Sequence, residues 1–438
     1  MNSNDDTVDL VRQFLRINTT NPPGNEEKAV IYLEAILQKA GIDSTIYSPA
    51  SGRANIMARI RGKKKGKHVI LLSHIDVVSA REDEWEVDPF GGELHAGYVY
   101  GRGAIDMKTQ ALCQLLAFIR YAGGGVTPER DIVYLATCDE EVGGKHGVEY
   151  MLNKVPWLRD ASFVLSEGGF IKEKDGFAHA QVSVSEKKLS QFVIKATGTG
   201  GHGSVPHQDS AAEKVINASA KILSYRWPFI PTAVVSAYID GIFKGKREKR
   251  YAFKNLKEAL KNEKFKRYIE ETPLYNALLR NTVTPTLLKG GEKINVIPTE
   301  ASVSFDARIL PTENHDVFFK KIRRLAGKDV EVVRVDESVG KPAPSGYSTG
   351  YFRGIRDVVQ GMEGKRMAVL PYITTGATDL RYFRDLGVTA YGFFPITLSG
   401  EEILRMHGKN ERISVENIHK GLEGMYRIVT FLGSHDVL

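Results

Sequence analysis

A chain of 438 residues exceeds the ~250–300 residues over which one core keeps growing, so two or more domains are expected. With 42% hydrophobic and 26% charged residues the composition is that of an ordinary globular protein, and no apolar stretch reaches the ~18–20 residues that a membrane helix requires. The net charge of +7 invites a nucleic-acid partner, but it is concentrated: Lys244 to Arg267 holds eleven Lys and Arg against three Glu, which accounts for all of it.

In chain order, Met1-Asn2-Ser3-Asn4-Asp5-Asp6 is polar and acidic with no apolar run behind it, so no signal peptide is expected and the predicted address is the cytoplasm. Helical patterns follow around Thr7–Arg16 and Glu26–Ala40, and a long one from Met107 to Tyr121. Three short apolar runs, Val69–Leu72, Ile132–Ala136 and Phe163–Leu165, read as strands buried on both faces of a mainly parallel sheet. Alternation of helix and strand over 7–185 implies α/β. The two cysteines, Cys113 and Cys138, fall in a helix and at a strand end and read as free thiols.

From about Leu189 the rhythm changes to strand Phe192–Ala196, helix Ala211–Ser224, strand Ala301–Leu310, helix Asn314–Ala326 and strand Val330–Val335. That order resembles a ferredoxin-like, split βαβ α+β unit, enlarged by the basic segment. From Met367 the α/β pattern resumes. The expected organisation is therefore a catalytic domain in two parts, 1–188 and 341–438, with 189–340 inserted. In the basic segment Phe253, Leu256, Leu260, Phe265 and Ile269 recur near helical spacing, so a basic-faced surface helix is favoured over a patch gathering acidic substrates or nucleic acid.

The chemistry sits after the three strand-like runs. In such sheets ligands bind beyond the carboxyl ends of the strands, and there the chain places Ser73-His74-Ile75-Asp76, Cys138-Asp139-Glu140-Glu141 and Ser166-Glu167-Gly168-Gly169. His74 and Asp76, two apart at a strand end, share a face, so Asp76 can accept from the ring nitrogen that a metal would leave free. Asp106, in Gly101–Lys108, falls at the start of the long helix, where an N-cap is the plainer reading. Asp139-Glu140-Glu141 crowds three acids, a repulsion that a cation relieves. His407 supplies a second imidazole near the C-terminus.

Together these stretches resemble the M20 family of co-catalytic zinc peptidases and deacylases, a group that includes aminoacylase-1, glutamate carboxypeptidase, acetylornithine deacetylase and succinyl-diaminopimelate desuccinylase. The matching motifs are SHIDVV, YGRGAIDMK, DEEVGG, SEGG, GTGGHGSVPH, NVIP, FDAR, TTGATD and MHGKNE, in family order and spread over most of the chain. The resemblance implies a zinc-exopeptidase-like catalytic domain with an inserted dimerisation or lid domain. It implies two divalent metal ions per chain, with Asp106 bridging, His74 and Glu167 completing one shell, and Glu141 and His407 the other. Zinc suits that donor set, with cobalt or manganese as alternatives. Asp76 would support His74, and Glu140 would be the general base that takes a proton from the metal-bridging water. Glu167 fits the aminoacylase and desuccinylase branches better than the carboxypeptidase branch, and Thr109-Gln110 depart from the glycines common after Lys108.

In the inserted block, His202 among glycines reads locally as a turn with a solvated ring. The resemblance instead implies that it crosses a dimer interface to polarise the scissile carbonyl of the partner's substrate, a role worth roughly 10²–10³ in rate. Arg308 and Asn295 resemble positions that hold the substrate's carboxylate, and Gly376 would offer backbone to the same end. The expected protein is a homodimeric amidohydrolase or exopeptidase for N-acyl-L-amino acids or short peptides with a free carboxylate, with no nucleic-acid or membrane partner. The alternatives are a dipeptidase or carboxypeptidase of the same family, and a catalytically silent scaffold that binds partners through segment 244–267.

Overall fold

Alternating side chains explain why the three apolar runs need cover on both sides. In the computed structural model, which describes residues 4–174, 177–245, 255–335 and 343–434, they form Val69–His74, Ile132–Thr137 and Phe163–Ser166, every residue of which is buried. Val69, Leu71, Tyr134 and Phe163 face one hydrophobic core, while Ile70, Leu72, Val133 and Val164 face another. The first core is roofed by the helices Asn4–Leu15, Glu27–Lys39, Lys108–Gly123 and Val415–Ser434, and the second by Val148–Lys154 and Leu380–Asp385.

The three strands are parallel neighbours, with Val69–His74 in the middle. Their register sets Val69 opposite both Ile132 and Phe163, so His74 lies opposite Thr137 and all three chains leave the sheet at the same edge. That alignment is what collects the acidic and histidine motifs. Among the described residues the sheet has ten strands, and it mixes parallel with antiparallel pairs. The long helix begins at Lys108, and its N-cap residue is Met107 without a side-chain cap bond, so Asp106 does not serve as the cap.

The second sheet is built on Phe192–Thr197, Thr282–Lys289, Glu300–Ile309 and Glu331–Arg334, with the short Lys188–Leu189 also paired to Glu300–Ile309, all pairs antiparallel. Glu300–Ile309 and Phe192–Thr197 lie at its centre, with Thr282–Lys289 and Glu331–Arg334 outside, which is the split βαβ arrangement the pattern predicts. Helices Ala211–Ser224 and His315–Ala326 close a separate core around Phe192, Phe305 and Phe319. A small ribbon pairs Gly201–His202 with Val296–Ile297.

Between these strands the chain makes an excursion that the sequence pattern does not announce. Helix Ala233–Gly245 lays Val235, Tyr238 and Ile242 into the first core, against strand Ala368–Thr374 of the large sheet. Of the basic segment, residues 246–254 lie outside the described residues, as do 336–342, where the second domain boundary is expected. The remainder is not one helix. Leu256–Ala259 ends, and Asn262 caps a new helix, Glu263–Glu271, by accepting from the Phe265 N–H. Phe265 and Ile269 are buried while Lys264 and Arg267 face solvent, as a basic-faced surface helix requires.

Candidate active site

The site begins where Val69–His74 ends. The His74 ring is 2% exposed; its Nδ1 lies 3.0 Å from the backbone oxygen of Asp76 and 3.5 Å from that residue's carboxylate. With Nδ1 donating there, Nε2 is left as the free lone pair, and it sits 3.1 Å from Asp106 Oδ1 and 3.6 Å from Glu167 Oε1. The other Asp106 oxygen faces His407 Nε2 at 3.0 Å, which is in turn 3.4 Å from Glu141 Oε1. Two groups thus share Asp106: His74, Asp106 and Glu167, and Asp106, Glu141 and His407, each with its ligand atoms within 4.8 Å of one another.

Asp76 spends most of its carboxylate elsewhere than on His74. It is fully buried and accepts the backbone N–H of Glu140 and of Glu141, each at 3.2 Å, and the Asn21 amide at 2.9 Å. It therefore fixes the turn that carries both glutamates. The three-acid run is resolved by turning one acid away: Asp139 takes a left-handed backbone, φ +77°, and its carboxylate meets Arg53 at 2.6 Å and the His146 N–H at 2.9 Å. Behind Glu167 the strands pass so close that a Cβ on Gly392 would collide with the Glu167 carbonyl.

The charges at this edge are far from balanced by protein groups alone. Burial pushes the Glu140 and Glu167 carboxyls well above their ordinary range, and Asp106 adds to the effect on Glu167. Burial opposes charge on His74, but Asp106 and Asp76 outweigh it and raise the imidazole, and Asp106 with Glu141 lifts His407 to about 11. Divalent cations would relieve that excess of negative charge, and the donors fit: two imidazoles, three carboxylates, and a buried Glu141 Oε1 that, among the described residues, accepts no hydrogen bond and has His407 Nε2 3.4 Å away.

Above the cluster opens a cavity of about 1180 Å³. Its lining includes Asp106, Glu140, Glu141, Glu167 and His407, together with Arg308 and Gly376 from farther along the chain. Arg308 is held bidentately by Asp306, at 2.8 and 3.2 Å. His202 and Asn295 are not brought to this cavity. They stand together on the exposed ribbon, where Gly203 N–H donates to Asn295 O at 2.8 Å and Ser204 Oγ meets His202 Nδ1 at 2.7 Å. His202 ends a two-residue strand and opens a turn closed by the Val205 N–H on its carbonyl at 2.9 Å, with its ring exposed, the strand-end turn that its glycines suggest.

Sequence reasoning misses Arg381 and the Arg102–Glu411 pair, and reaches Lys187, as a further candidate for the substrate's carboxylate, only through a poorly matching stretch. Arg381 lines the cavity 4.0 Å from Glu140 Oε1 and donates to the Gly143 carbonyl. Lys187, buried at the junction of the two sheets, donates to the carbonyls of Ala277 and Arg280 and to Thr282 Oγ1, each at 3.0 Å. Arg102 and Glu411 form a buried pair beneath Asp106. Of the missed residues only Arg102 and Glu411 carry a signal, since both belong to motifs already singled out.

The sequence profile of Peptidase family M20/M25/M40 matches residues 70–430. Rat aminoacylase-1A is 29% identical over 436 residues, covering 98% of this chain and 95% of its own. The mouse N-fatty-acyl-amino acid synthase/hydrolase PM20D1 is 27% identical over 382 residues, 82% of this chain and 73% of its own. Among solved structures, the M20 family metallo-carboxypeptidase Sso-CP2 from Sulfolobus solfataricus matches with a TM-score of 0.74 at 19% identity, over 99% of this chain and 100% of that one. The YXEP protein of Bacillus subtilis, described as a dinuclear metal binding peptidase, matches with a TM-score of 0.59 at 12% identity over 98% and 99%.

Proposed function

From the premise that this chain belongs to peptidase family M20/M25/M40 and is a hydrolase of amide bonds, we propose that it is a dinuclear metalloenzyme that cleaves N-acyl-L-amino acids or short peptides bearing a free carboxylate. One observation carries the reading: the two oxygens of Asp106 face His74 and His407 at 3.1 and 3.0 Å, as a bridging ligand between two ions must. Bound there, zinc or a similar divalent ion would supply Lewis acidity to the scissile carbonyl and to the attacking water.

The chain's own residues do the rest. Glu140 lines the cavity beside the cluster without belonging to either ligand group, so its carboxylate is free to accept a proton and return it to the leaving nitrogen. Arg308 at the cavity wall suits a substrate carboxylate, and Asp306 holds its guanidinium plane ready. Gly376, on the same wall, would offer its backbone there. His202 and Asn295 lie off the cavity, on the exposed ribbon of the second sheet; in a homodimer built through residues 189–340 they would serve the partner's site.

A deacylase is favoured over a carboxypeptidase by the aminoacylase-1A match, which runs the full length of both chains. The silent scaffold is not favoured, since the chain keeps both ligand groups and Glu140. The test is a panel of N-acyl amino acids and dipeptides with the chelated and the zinc- or cobalt-reloaded protein. Hydrolysis of either class restored by about two ions per chain is expected. Turnover indifferent to chelation would overturn the reading.

A further inference from the structure

The half of the cluster made by His407 is built on strained, exposed backbone. His407 is a non-glycine residue at φ +58° and its side chain is 48% exposed, whereas His74 sits at a strand end with 2% exposure. Something must hold the first in place, and a buried ion pair lies directly under it. Arg102 and Glu411 are 309 residues apart and almost without solvent contact, and they meet at 2.6 Å.

Each partner reaches a different ligand loop. Glu411 Oε1 accepts the N–H of Ile105 at 2.7 Å and of Asp106 at 3.1 Å, and its Oε2 accepts that of Gly103 at 3.2 Å. Arg102 sends its other terminal nitrogen to the carbonyls of Gly408 at 3.0 Å and His407 at 3.3 Å. The pair thus ties the loop of Asp106 to the loop of His407, and a buried pair of this kind adds little net stability against an apolar replacement. Its value lies in register.

We propose that Arg102 and Glu411 form a positioning clasp that sets the occupancy of the metal site formed by Asp106, Glu141 and His407, while the site formed by His74, Asp106 and Glu167 depends on it little. This rests on the dinuclear reading above. The asymmetry follows from support: His74 and Glu167 leave adjacent buried strands in fixed register, whereas His407 stands on a loop tied to the site by the clasp and by single hydrogen bonds from Gly101 and Glu86.

The test is titration of chelator-stripped protein with cobalt, read by its visible absorption and by calorimetry. Wild type should take up two ions; if it takes up fewer, the dinuclear reading fails, and the clasp with it. In Arg102→Met, the second ion should weaken by about 10–100-fold, the range seen when groups supporting a metal ligand are removed, with the first ion held as in wild type. Because that variant strands a buried carboxylate, the double variant Arg102→Met/Glu411→Gln is measured as well; it removes both charges and keeps an oxygen toward Ile105 and Asp106. Arg102→Lys, which keeps the charge but not the fork, should fall between. Two ions weakened together, or a second ion bound as in wild type by the double variant, would overturn the clasp. So would a chelated double variant whose melting temperature collapses, since that marks a fold element and not a metal-site one.

Discussion

One six-residue strand carries a buried histidine at each end, and the two ends of the sheet could hardly treat them more differently. His68, just before Val69, and His74, at the strand's last position, are each 2% exposed. At the amino end His68 packs edge-on against Trp157, 4.7 Å between ring centres, and the Arg59 guanidinium lies over the same indole, 4.5 Å from its centre. Burial, aided by Arg59, holds its pKa down at about 4, so the ring stays neutral. At the carboxyl end three carboxylates gather about His74 and raise it. Burial alone decides neither case. The amino end is finished as a core, with Arg59 paired to Asp131, while the carboxyl end gathers acidic groups that a further cation would balance.

The largest effects should therefore come from breaking the carboxyl end. Asp106→Ala removes the one residue common to both ligand groups, so purified protein should lose both ions by metal analysis and fall to background turnover. His407→Ala should cost one ion and leave the other. If Asp106→Ala kept two ions per chain and its activity, the contrast between the ends would have no chemical content. Next in size is Glu140→Gln, which keeps the size of the side chain but cannot take a proton. Metal content should persist while kcat falls by roughly 10²–10⁴. Loss of an ion instead would mean that Glu140 and Glu141 had been assigned the wrong way round.

A third test separates the cluster from the exposed ribbon. His202→Ala should lower turnover by roughly 10²–10³ if it donates to the developing oxyanion. If it does so across a dimer, subunit exchange between His202→Ala and Glu140→Gln homodimers should restore part of the activity, because one site of each heterodimer then carries neither defect. With both residues serving a site from the same chain, every site in the mixture keeps one defect and no activity returns. That result would remove the dimeric mechanism and leave the metal chemistry standing.

What was readable in the sequence follows the same division. Short continuous apolar runs make Val69–His74, Ile132–Thr137 and Phe163–Ser166 legible as strands buried on both faces, and with a parallel register the motifs after them must converge. Hence His74, Glu141 and Glu167 converge, and Asp106 and His407, which the family resemblance rather than the strand pattern brought in, stand beside them. Helix Ala233–Gly245 was not placed, because its packing partner, Ala368–Thr374, is more than a hundred residues away and nothing local marks the contact. Arg381 was missed for a related reason. It works through the Gly143 carbonyl and proximity to Glu140, contacts that carry no motif. The basic segment shows the limit of periodicity: Asn262 restarts the helix where spacing alone would run through.

The smallest effect expected concerns the amino end, and it is one of stability. His68 would titrate near 6.5 in the unfolded chain and does so at about 4 in the fold, where Asp131 and Asp160 oppose the lowering without reversing it. Between those values the unfolded state takes up a proton that the folded state refuses, so stability must fall as the pH is lowered from about 6.5 to about 4. The full difference corresponds to about 3 kcal/mol at 1.36 kcal/mol per unit. Many carboxylates titrate over the same interval, so the informative quantity is wild type minus His68→Gln, both in chelator so that metal loss does not enter. His68→Gln should keep its metal and turnover at pH 7, since residue 68 lies at the far end of the strand from the ligands, and should show a flatter loss of stability in acid. Parallel curves for the two proteins would mean that His68 takes up its proton as readily folded as unfolded, and the distinction drawn between the ends of the strand would then rest on the carboxyl end alone.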